Sequence, residues 1–102
     1  MTLNDQHTAQ FQREGYTSVP HFFNAREVEA LQREVERFKR EGLVRNVSTD
    51  GDGQTPSTER VNLQLIPLYD KSDLIRALPF VARVRDAIAQ LIGTPTILHL
   101  DQ

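Results

Sequence analysis

The chain has no cysteine and no tryptophan in its 102 residues, and a single methionine. Without cysteine there is no disulfide, no thiol nucleophile and no thiolate zinc site. No charge of one sign prevails. Twelve Lys and Arg are interleaved with fourteen Asp and Glu, for a net charge of −2. That leaves no basic field for nucleic acid or an anionic membrane, and neither is expected as a partner. Long apolar runs are missing too. The opening "MTLNDQHTAQFQREG" is polar rather than a secretory leader. No stretch approaches the roughly 20 apolar residues of a membrane span. A cytoplasmic location is the expectation. A Gly-rich phosphate loop and a nucleophile elbow are also lacking.

What is present is a run of short, well-punctuated elements. Residues 3–14 suit a short helix with Gly15 as its stop, and Tyr16 to Val19 read as a short strand ended by Pro20. "NAREVEALQREVERFKREG" opens with Asn24 as N-cap and Glu27 three places on, a capping-box pair. Val28, Leu31, Val35 and Phe38 then recur at helical spacing, and Gly42 supplies a left-handed stop. Residues 46–60 form a flexible polar loop, longer than ordinary connections. "VNLQLI" alternates over 61–66, with Val61, Leu63 and Leu65 on one face and Asn62 and Gln64 on the other. A helix begins near Ser72 and stops before Pro79, which can open the next helix as its first residue. Phe80, Val81, Val84, Ile88, Leu91 and Ile92 make a second apolar stripe, Gly93 ends it, and "TPTILHLDQ" closes as a strand. This order predicts one α+β unit over 1–102. Its last strand has no turn behind it and reads as the start of a sheet.

Three motifs invite a chemical reading. His99-Leu100-Asp101 places an imidazole and a carboxylate on one face of a strand, as two ligands of a ferrous facial triad would be. A third ligand is needed, and His7 or His21 would have to fold back to supply it. The stretch from Ser48 to Glu59 puts Asp50, Asp52, Gly53 and Glu59 at positions three, five, six and twelve of a calcium loop. Position one is Ser48, however, Pro56 breaks the exit, and a strand follows rather than a helix. Asn46-Val47-Ser48 is a glycosylation sequon without a leader peptide to give it consequence. Helical pairs such as Glu34 and Arg37 read as a solvated face. No complete catalytic constellation is spelled out.

As an ordered whole, "FQREGYTSVPHFFNAREVEALQREVERF" resembles the opening of the phytanoyl-CoA dioxygenase family. The marks are Phe11, Gly15, Tyr16, Val19, Pro20, Phe22, Phe23, Val28 and Leu31. "VNLQLIPLYDKSDLIRALPF", "IAQLIG" and "HLDQ" also look like that family and follow in the right order. The resemblance implies a fold and an activity. The fold is N-terminal helices and the first strands of a double-stranded β-helix, or jelly roll, whose barrel is incomplete in this chain. The activity is small-molecule hydroxylation with Fe(II) and 2-oxoglutarate. It also implies that the family's metal ligands lie past residue 102. On that reading no catalytic or metal-binding residue is expected here, His99 and Asp101 are a decoy, and the chain alone binds no cofactor and is inert. Gln64 and Gln102 fall where family members place residues near 2-oxoglutarate, and an amide that donates to a carboxylate suits that role. The alternative is a non-catalytic helix–strand module that self-associates or binds a partner through its sheet edge.

Overall fold

The computed structural model describes residues 3–99. Among the described residues three of the four α-helices start where the sequence offers a side-chain acceptor for their orphan N–H groups, and the last, which follows Val81, starts without one. Helix α1 (Asp5–Glu14) is capped by Asn4, whose Oδ1 accepts the His7 N–H at 3.0 Å. In return His7 Nδ1 accepts the Asn4 N–H at 3.0 Å, so the imidazole closes a capping box. Helix α2 (Ala25–Arg40) opens with the expected box between Asn24 and Glu27, at 2.8 and 2.9 Å. It ends in a Schellman turn. Gly42, at φ 69°, donates to Lys39 O, and Leu43 donates to Phe38 O.

Strand pairing is confined to two residues on each side. Strand β1 (Arg45–Asn46) runs antiparallel to β2 (Leu63–Gln64), with Arg45 opposite Gln64 and Asn46 opposite Leu63. The connecting loop is pinched by a bridge between Thr49 and Pro56. Asn46 closes its base: Nδ2 donates to Arg60 O at 2.8 Å, and Oδ1 accepts the Asn62 N–H at 2.8 Å. Helix α3 (Asp73–Ala77) is capped by Ser72, a 3₁₀ turn covers Leu78–Phe80, and α4 (Ala82–Ile92) runs to Gly93.

Several sequence expectations change here. The strand read over 61–66 shrinks to Leu63–Gln64, and Tyr16–Val19 is not laddered. Residues 94–99 are not a strand either, and Leu100, Asp101 and Gln102 lie outside the described residues. A ladder needs a second backbone at hydrogen-bonding distance, and alternation alone does not provide one. Pro79 does not open the last helix. It sits in the 3₁₀ turn, and α4 begins after Val81.

The architecture is α+β. Helix α1 lies on α4, and the Gln90 amide reaches Leu3 O at 3.1 Å to fix that contact. Among the described residues only Leu3 and Phe38 are buried apolar side chains. The radius of gyration is 16.9 Å, against about 13 Å for a compact domain of this length. The apolar faces read from the sequence are therefore largely uncovered. Val61 is 73% exposed and Ile97 88%, and Val28 and Val35 on the α2 stripe are exposed as well. No helix among the described residues is long and apolar enough to cross a membrane.

Candidate functional site

Two polar clamps tie helix α2 to the start of α3 and to α4. Glu27 and Glu34 are seven residues apart, so they share one side of the helix about 10 Å apart along its axis. Glu27 takes Arg83 of α4 as a bidentate partner, with Nη1–Oε1 at 3.0 Å and a second bond from Nη2 to Oε2. The guanidinium carbon also lies 4.8 Å from the Phe23 ring centre and 5.4 Å from that of Phe22. The two rings meet edge to face at 5.0 Å. The cation thus rests on two π faces while it pairs with a carboxylate. The Arg83 hydrogen bonds hold the Glu27 carboxyl below the usual range, helped by the Asn24 N–H.

The second clamp joins α2 to the start of α3. Arg37 donates to both oxygens of Glu34, at 2.9 and 3.1 Å, and to Lys71 O at 2.8 Å. The buried Ser72 hydroxyl donates to Glu34 Oε2 and accepts the Ile75 N–H at 3.2 Å. The Glu34 carboxyl is held at about 2 by Arg37 first and Ser72 second. Glu34 and Arg37, read from the sequence as a solvated pair, are therefore a half-buried junction between elements 34 residues apart.

Between the clamps lies an apolar groove of about 510 Å³, bordered by Ala30 and Leu31 on α2 and by Leu74, Leu78 and Val81 across from it. A second concavity, also about 510 Å³, lies between Phe80, Ile88, Ile92 and Leu98. Neither holds a nucleophile beside a base. Both clamp carboxylates stay ionised at neutral pH, so they serve as anchors rather than proton donors.

The residues singled out from the sequence are scattered. Gln64 is half-buried on β2 beside Arg45, next to the exposed Leu63. Gln102 lies outside the described residues. His99 is exposed, and His21 is exposed at φ 59°, a left-handed conformation that His adopts more readily than most residues. His7 is committed to its helix cap. Among the described residues no three His, Asp or Glu side chains gather as a metal-binding group, and no step of iron chemistry is assigned to them. In the stretch read as a calcium loop, Asp52 turns both oxygens onto Gln54 and Thr55. The sequon amide of Asn46 is spent on the loop base. The Glu27–Arg83 and Glu34–Ser72 junctions were missed. The available signal was the seven-residue spacing of two acids beside an apolar stripe. No family model, no curated protein and no solved structure matches the chain.

Proposed function

We propose that the chain is the N-terminal segment of an Fe(II)- and 2-oxoglutarate-dependent dioxygenase of the phytanoyl-CoA dioxygenase type that hydroxylates a small molecule. On this reading the helices brace the outside of a jelly roll, and the segments 61–66 and 96–102 extend its major sheet. The iron would be held by two imidazoles and a carboxylate supplied beyond this stretch. By resemblance, Gln64 and Gln102 would both donate amide hydrogen bonds toward the 2-oxoglutarate carboxylate.

One observation carries the reading. Apolar side chains within the segments that bear the family resemblance are left exposed, among them Tyr16, Val28, Val35, Val61 and Leu63. Such an apolar set fits a surface made to receive a sheet. The test has two arms. Supplied anaerobically with ferrous iron and 2-oxoglutarate and then exposed to oxygen, residues 1–102 alone are expected to release no succinate. The reading frame past codon 102 is expected to encode a His-x-Asp followed by a distal His and an Arg. A stop codon at that point, or a continuing frame without those ligands, would sink the proposal.

The exposed edge of the β1–β2 pair favours a second reading, a non-catalytic module that pairs with another copy of itself. Light scattering coupled to gel filtration is expected to show a dimer under that reading. A folded, strictly monomeric chain would remove it.

A further inference from the structure

We propose that Asp50-Gly51 is a site of spontaneous covalent modification, converting to isoaspartate through a cyclic imide, while the fold protects the neighbouring Asp52-Gly53. The loop places these two steps side by side in "TDGDG", and all four residues are exposed. In such a step the glycine amide nitrogen attacks the side-chain carboxyl carbon of the preceding aspartate. The N–Cγ bond forms, the Cγ–OH bond breaks, and water leaves with the amide proton. Water then adds back to the imide. Opening at the α-carbonyl routes the backbone through the β-carbon and frees an α-carboxylate. The water lost is the water regained, nothing is oxidised or reduced, and the mass is unchanged. Glycine favours the attack because it places no Cβ beside the nitrogen.

The two aspartates differ in what holds their carboxylates. Asp52 Oδ1 accepts the N–H groups of Gln54 and Thr55 at 2.9 and 2.8 Å, and Oδ2 accepts the Thr55 hydroxyl at 2.5 Å. Both oxygens are fixed toward residues 54 and 55, so the group is not free to turn onto the Gly53 nitrogen. Asp50 donates its own N–H to Thr55 O at 3.0 Å, which anchors its backbone. Among the described residues no donor reaches its carboxylate. The acid form is the one that loses water readily. The Thr55 hydroxyl, with the Gln54 and Thr55 N–H groups, holds Asp52 at about 2 rather than 3.8. Its acid fraction at neutral pH is thereby cut roughly 50-fold. Conversion at Asp50 adds a backbone methylene beside the Thr49–Pro56 bridge, which shifts the register of the loop closure.

The test is to age the whole chain at neutral pH and physiological temperature. Trypsin then frees residues 46–60 as one peptide, and electron-transfer fragmentation locates isoaspartate within it. In the folded chain conversion at Asp50 is expected to exceed that at Asp52 by about tenfold or more. In a free synthetic 46–60 peptide the two rates are expected to agree within about a factor of two, since the acid fractions become equal. In the folded chain, Thr55→Val is expected to raise Asp52 conversion severalfold and leave Asp50 unchanged. Equal rates in the folded chain, a lead for Asp52, no conversion at Asp50 while the peptide converts, or the same ratio in chain and peptide each overturn the proposal. If the Thr55→Val chain does not fold, the comparison of chain with peptide decides alone.

Discussion

Phe38→Ala is expected to abolish the cooperative unfolding transition of this chain. Phe38 is 3% exposed, and among the described residues only Leu3 joins it as a buried apolar side chain. Truncating a buried Phe costs about 3–5 kcal/mol, because the transfer energy is lost and a cavity is left behind. Small domains have only about 5–15 kcal/mol in total, and a chain with so little buried surface sits at the low end. The effect also reaches the end of α2. The Arg37 guanidinium lies over the Phe38 ring at 5.1 Å just before the turn into β1, and alanine offers it no ring. Thermal melts followed by far-ultraviolet dichroism should show the loss. Val35→Ala on the same stripe is the control. Val35 is 45% exposed, and its truncation is expected to change stability by no more than about 0.5 kcal/mol. If the two variants melt alike, Phe38 is not the centre of the fold.

Ser72→Ala is expected to destabilise the chain by about 1–2 kcal/mol, since it removes an N-cap and a hydrogen bond to a charged group together. The Ile75 N–H loses its acceptor at the start of α3, and Glu34 loses one of the donors that keep it ionised. The second loss should appear in the pH dependence. Glu34 titrates at about 2 in the folded chain, against an ordinary value of 4.5, so folding favours its ionised form. The stabilisation is complete above the ordinary value and is lost as pH falls from there toward about 2. Without Ser72 the folded value rises, because Arg37 alone then holds the carboxylate. Urea midpoints measured across that window should fall steeply for the parent chain and more gently for Ser72→Ala. Parallel curves would mean that Ser72 does not support the carboxylate.

The helices were legible in the sequence because their signals are local. Asn24 and Glu27 stand one turn apart, and Gly15, Gly42 and Gly93 each mark an end that the structure keeps. The strands were not, because a strand is completed by a distant neighbour. "VNLQLI" alternates as a strand should, yet only Leu63 and Gln64 are paired as strand residues. The clamps failed to show for the same reason. Glu27 reads as a cap, and it is one, but the Oε1 that accepts the Asn24 N–H also accepts Arg83 from 56 residues away. Nothing within a turn of Glu27 announces that second role. His7 was weighed as a ligand and proves to be a cap, because an imidazole acceptor at that position serves α1 as a glutamate serves α2. Of the two glutamines singled out, Gln64 is placed beside Arg45 on the strand pair, and Gln102 lies outside the described residues.

The two acidic anchors on α2 lie on one line parallel to its axis. A rod tied at two such points cannot slide lengthwise, because both ties would have to stretch together. It keeps one freedom, a small roll about the line that joins them. Whatever comes to lie along the neighbouring flank, about 100° round the helix where Val28 and Val35 stand open, therefore meets a helix whose lengthwise position is already set and has only its azimuth left to choose.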